Sequence, residues 1–80
     1  MRLDKYLKVS RLIKRRTVAQ EACDGGHVSV NGRVAKPSAD VKEGDVIEIA
    51  FGSRTLRAEV LSVAEAVRKD DAAAMYREIQ

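Results

Sequence analysis

Eighty residues make one compact domain and leave no room for an enzyme core with a second module beside it. There is no Trp, one Phe (Phe51) and only two Tyr (Tyr6 and Tyr76), so the core is expected to be small and aliphatic. The formal net charge of +3 hides a division: residues 1–36 carry nine Lys or Arg against Asp4, Glu21 and Asp24, whereas residues 37–80 carry six against nine acids, and so basic an amino-terminal half points to an anionic partner.

Leu3, Tyr6, Leu7, Ser10 and Ile13 follow helical spacing and predict a first helix over 3–12, with Asp4 favouring its positive end. Lys5, Lys8, Arg11 and Arg15 recur at intervals of three or four and form a basic stripe along one flank. Lys14-Arg15-Arg16 then crosses a turn into a second helix over 16–24, where Thr17 and Gln20 have capping-box spacing and Val18, Ala19, Ala22 and Cys23 make the buried side. Gly25-Gly26 ends it. From His27 the period changes to two: Val28, Val30 and Val34 alternate with Ser29 and Arg33, and Asn31-Gly32 between them is the strongest short hairpin signal. Pro37-Ser38 and Glu43-Gly44-Asp45 mark further turns, Val46 to Phe51 reads as a strand, and Leu56 to Val63 as its return. Asp70-Asp71 followed by Ala72-Ala73-Ala74-Met75-Tyr76 and Ile79 predicts a short terminal helix. The expected class is α+β, a two-helix hairpin packed on a small, mainly antiparallel sheet. The core motif covers about residues 1–50, with a strand extension and the terminal helix over 51–80.

The parts of a catalyst are missing from this sequence. It has no phosphate-cradling glycine loop, no dinucleotide fingerprint, no His-Glu-x-x-His and no Cys-x-x-Cys, so neither cofactor, metal nor enzyme activity is expected. Cys23 with His27 is the one nucleophile and base that can be paired, but no third group orients them, and core filler and strand start are the better readings. Asp40 with Glu43, and Asp70 with Asp71, read as turn and helix-start residues. A lone cysteine forms no internal disulfide and fits a reducing compartment, so the cytoplasm is the expected location. The charged start Met1-Arg2-Leu3-Asp4-Lys5 is unlike a signal peptide, and no apolar run approaches the roughly 18 residues that span a bilayer. A soluble monomer without membrane attachment is the expectation.

The positive signal is the set Arg2, Lys5, Lys8, Arg11, Lys14, Arg15 and Arg16, joined across the hairpin by Asn31, Arg33 and Lys36. Arginine offers phosphate oxygens a planar fork and lysine a mobile point charge. A basic helix is often only a solvated face, but here acids are almost absent from it while abundant elsewhere in the chain, and the resulting self-repulsion asks for a partner. Too few aromatic side chains are present for a base-stacking platform, so shape-and-phosphate recognition of structured RNA fits best.

These residues also carry a resemblance. Arg2-Leu3-Asp4-Lys5-Tyr6-Leu7, Arg11, Arg16-Thr17, Ala19, Gly26, Val28-Ser29-Val30-Asn31-Gly32, Lys36-Pro37-Ser38 and Val41-x-x-Gly44-Asp45 resemble the alpha-L RNA-binding motif of the small-subunit ribosomal protein four type, over about residues 1–50. Arg15 stands where many members have Ser. Over nearly the whole chain, the stretch from Met1 to Thr17 and the tail Ala72 to Tyr76 resemble the RqcP family of stand-alone ribosome-associated quality-control factors. The resemblance implies a non-enzymatic factor on dissociated large ribosomal subunits. It would bind rRNA and peptidyl-tRNA and stabilise P-site tRNA while an RqcH-type partner directs untemplated alanine tailing. It further implies Arg2 and Arg16 as main phosphate contacts, Lys5, Arg11, Lys14, Arg15 and Thr17 around them, and Asn31, Lys36 and Ser38 on the hairpin side. The heat-shock ribosome-recycling relatives rank second, because they usually carry a longer basic carboxyl-terminal extension whereas this sequence ends Arg77-Glu78-Ile79-Gln80. A protein-interaction adaptor is the reading from another class.

Overall fold

The computed structural model describes residues 1–64, 72 and 74–79. Among them the order is α1 (Leu3–Val9), α2 (Arg16–Asp24), β1 (Val28–Val30), β2 (Arg33–Val34), β3 (Val46–Phe51), β4 (Arg54–Val60) and β5 (Tyr76–Ile79). α1 is shorter than its periodicity predicts. The buried hydroxyl of Ser10 donates to the Leu7 carbonyl at 3.3 Å, and Arg11 takes a φ of 64°, through which a right-handed helix does not continue. Ile13 nevertheless reaches the core, because its amide returns to the Leu7 carbonyl at 3.0 Å.

α2 has the predicted bounds but not the predicted cap. Its N-cap is Arg15, whose side chain makes no capping bond; Thr17 already lies inside the first turn, and the Gln20 amide donates to Asp4 instead. Its buried face is also narrower than expected, since Ala19 and Cys23 are buried whereas Val18 is 45% exposed. Gly26, with a φ of 77°, turns the chain out of the helix.

The strands form one sheet in the order β2-β1-β3-β4-β5, with every neighbour antiparallel. Asn31 and Gly32 have φ values of 53° and 84°; two positive values in a two-residue loop match the right-handed twist of the flanking strands, as in a type I′ turn. β3 and β4 pair from Val46 with Glu59 to Phe51 with Arg54. Ile47, Ile49, Ala58 and Val60 turn one face inward, where the sheet meets Leu3, Tyr6 and Leu7 of α1 and Ala19 and Cys23 of α2. The returning strand stops at Val60 rather than continuing to Val63, and the Leu61 and Ser62 amides donate to the Met75 carbonyl at 2.8 and 3.1 Å.

The predicted terminal helix is corrected by β5. Tyr76 to Ile79 pair with Val60 to Arg57 on the outer edge of β4, and Arg77 forms an ion pair with its cross-strand partner Glu59. The helix formers Ala72 and Ala74 sit in a short 3₁₀ stretch before the strand, while 70, 71 and 73 lie outside the described residues. An open strand edge offers the backbone of a segment laid along it a row of hydrogen-bond partners, and that tertiary opportunity overrides local propensity.

The chain's start is laced to residues 37–41. The Leu3 and Asp4 amides, two of the donors a helix start leaves without partners, bond the carbonyls of Ala39 and Pro37 at 2.8 and 3.1 Å. The Val41 amide donates to the Met1 carbonyl at 2.7 Å, and the amino-terminal ammonium meets Asp40 at 2.9 Å. This lacing sets Arg2 beside the segment that carries Lys36 and Ser38.

Candidate nucleic-acid interface

Asp4 is the pivot of the basic face. Its side chain is fully buried, yet it touches two arginines, Arg2 at the N-cap of α1 and Arg16 at the start of α2. Arg2 reaches it with Nε and Nη2, both at 3.3 Å; Arg16 with Nη2 and Nε, both at 3.4 Å; Gln20 with Nε2 at 2.9 Å; and the Lys5 amide at 2.7 Å. Arg16 and Gln20 lie four residues apart on one face of α2, so both can converge on one carboxylate. Burial pushes the Asp4 carboxyl up, but the bonds from Gln20, Arg16, Arg2 and the Lys5 amide outweigh it and hold the pKa at about 2. Asp4 is therefore ionised at neutral pH. Two guanidinium groups against one carboxylate leave one positive charge over. The arginine side chains remain 54% and 45% exposed, with donors left for a further anion. Asp4 thus orders two long side chains side by side and leaves their outer edges open, which reduces the entropy an incoming phosphate must remove.

The other predicted residues group around this pair. Arg2, Lys36 and Ser38 line a shallow groove between the end of α2 and segment 34–38. Lys14 and Arg15, exposed on the turn between the helices, line a second groove against the β3–β4 turn. Lys8 and Arg11 are exposed at and beyond the end of α1, Thr17 on the first turn of α2 and Arg33 on β2, while Lys5 is half-buried. Asn31 is exposed, but its side chain is engaged by the protein itself: its amide nitrogen donates to Asp45 at 3.1 Å and its oxygen accepts the Val46 amide at 2.9 Å, tying the hairpin turn to the start of β3.

Sequence reasoning missed Asp4 as the organiser of the arginines and Gln20 as its support. The available signal was Arg-x-Asp at a helix start together with Arg-x-x-x-Gln on the next helix. Cys23 is buried, and burial together with the nearby charges of Asp4 and Asp24 pushes its thiol up to about 11, the reverse of what a nucleophile needs. Among the described residues no cluster of His, Cys, Asp or Glu has metal-binding geometry, and no helix is long and apolar enough to cross a membrane.

Residues 1–47, which hold both helices, the first hairpin and every residue of the predicted RNA face, match the S4 domain. The chain belongs to the S4 domain family. This S4 domain protein is 57% identical over 76 residues to the RQC P-site tRNA stabilizing factor of Streptococcus pneumoniae, covering 95% of this chain and 86% of that one. It is 51% identical to the factor of the same name from Bacillus subtilis, over 95% of this chain and 88% of that one. Among solved structures, Heat Shock Protein 15 of Vibrio cholerae matches its fold with a TM-score of 0.90 at 34% identity, over 99% of this chain and 81% of that one.

Proposed function

We propose that this S4 domain protein is a non-enzymatic cytoplasmic factor that binds rRNA and peptidyl-tRNA on dissociated large ribosomal subunits and stabilises P-site tRNA. The tRNA is held while an RqcH-type partner on the same subunit directs untemplated alanine tailing of the stalled chain. The observation that carries this reading is the arginine pair ordered on buried Asp4, in a chain more than half identical to factors named for stabilising P-site tRNA. Arg2 and Arg16 grip phosphates as charge-assisted forks. Lys5, Lys8, Arg11, Lys14, Arg15, Thr17, Arg33, Lys36 and Ser38 extend the contact, and Asn31 contributes by holding the hairpin in place. Holding the tRNA in place requires no bond to be made or broken. The protein holds RNA in position, and position is what a transfer reaction between tRNAs depends on. The recycling role of the heat-shock relatives ranks second, since the fold is shared but identity to the solved member is only 34%.

The test is binding to purified large subunits that carry peptidyl-tRNA. Arg16→Ala should weaken it by about 1–3 kcal/mol while the fold is retained, because the side chain lies outside the core. Affinity should also fall steeply with salt, as neutralised phosphates release their counterions. Subunit association that ignored both would remove the phosphate face from the function. Association with a protein that survived nuclease treatment would favour the adaptor reading instead.

A further inference from the structure

The groove beside Lys14 and Arg15 is apolar, which a phosphate-binding surface does not need. Its volume is about 650 Å³, within the roughly 300–1,000 Å³ of sites for small organic groups. Leu12, Val18 and Ala22 form one wall and Ala50 and Phe51 the other. Phe51 is the one phenylalanine of the chain, yet it is 49% exposed at the tip of the β3–β4 hairpin, and Val18 opposite is 45% exposed. A protein with so small a core has left its most apolar ring half in water. The rim has a definite sign: Lys14 and Arg15 border the groove, and none of the described residues lining it is acidic. An occupant must therefore offer a flat apolar surface with negative charge immediately beside it. A nucleotide whose base has left the helical stack combines both, with the ring as the apolar face and its flanking phosphates as the charge. Continuity selects it over an acidic peptide, because Lys14 and Arg15 run directly into Arg16, the guanidinium that belongs to the phosphate-gripping pair.

We infer that this groove receives one unstacked nucleobase of the RNA held on the basic face, seated against Phe51 and Val18, with its neighbouring phosphates on Lys14 and Arg15. One aromatic ring makes no platform for a strand, but it suffices for a single base. The factor would then read a bulge or a splayed loop nucleotide as well as backbone shape. This inference rests on the RNA-binding reading above and adds a specificity to it.

The experiment uses the full chain and two synthetic RNA hairpins with the same stem, each closed by a non-nucleotide linker, one fully paired and one carrying a single unpaired 2-aminopurine. Wild-type protein should bind the bulged hairpin about tenfold more tightly and change the fluorescence of the probe base. Phe51→Ala should bring the bulged hairpin to the affinity of the paired one and leave the paired one unchanged, whereas Phe51→Trp should keep the preference. Circular dichroism checks that each variant is folded; should Phe51→Ala unfold, Val18→Asp, at an exposed helix position, tests the opposite wall and should also abolish the preference. Arg16→Ala should weaken both hairpins by the same factor. Equal wild-type affinity for the two hairpins, or a preference that survives both Phe51→Ala and Val18→Asp, overturns the groove alone, and the first result would leave the cleft to an acidic peptide with apolar side chains. Binding to neither hairpin overturns the groove and the phosphate face together.

Discussion

The two halves of this molecule handle charge in opposite ways. In the central and outer strands β3 to β5, two acids are matched to bases across strands in register: Glu48 faces Arg57, with Nε to Oε1 at 3.9 Å, and Glu59 faces Arg77. Each pair neutralises itself on the surface. Around the two helices, Arg2 and Arg16 share the buried carboxylate of Asp4, and most of the remaining cations there lie exposed. The contrast separates charge neutralised within the fold from charge left exposed at the surface. Cross-strand pairs add a little stability and leave no field behind; the helical face keeps its surplus and lends it direction.

The largest expected effect tests whether the halves are one cooperative unit. Leu7→Ala empties a fully buried site where α1 meets the sheet and should cost about 2–5 kcal/mol in urea unfolding, with helix and sheet signals lost together. A sheet that outlived the helices would divide the molecule.

Next comes acid. Asp4 has a folded-state pKa of about 2 against an ordinary value of 3.8. Its contribution is therefore complete above the ordinary value and is lost as the pH falls towards 2. That contribution amounts to about 2 kcal/mol, and Asp4→Asn should show correspondingly less acid destabilisation across the same range. The same variant sharpens the comparison in a second way: although Asp4→Asn makes the face more positive, it frees both arginines, and large-subunit affinity should fall roughly three- to tenfold. Tighter binding would mean that net charge, and not arrangement, governs the face. The smallest effect belongs to the sheet. Arg77→Ala removes an exposed cross-strand pair and should shift stability by about 0.5 kcal/mol with subunit binding unchanged.

Local signals carried much of this architecture. The bounds of α2 and the hairpin at Asn31-Gly32 followed from spacing and turn chemistry, because the forces that set them act between near neighbours in the chain. The extent of the S4 match, residues 1–47, also coincides with the residues that carried the resemblance. What escaped was non-local. β5 exists because β4 has an open edge, which the helix formers around Met75 could not reveal. Asp4 looked like an acid at a helix start until α2 folded back and brought Gln20 and Arg16 to it. Val18 read as part of the buried side of α2 and Phe51 only as a strand residue, and the final packing leaves both half exposed around one groove.

Asparagine followed by glycine is among the most perishable pairs in a polypeptide, since the next amide nitrogen can attack the side-chain carbonyl and expel ammonia. At Asn31-Gly32 that carbonyl oxygen accepts the Val46 amide, and the departing nitrogen is held by Asp45. Ring closure must therefore wait for the turn to open, so the clasp that sets strand register also slows the ageing of the protein. Once deamidated, the residue would place a second carboxylate against Asp45, and like-charge repulsion would keep the turn from closing again.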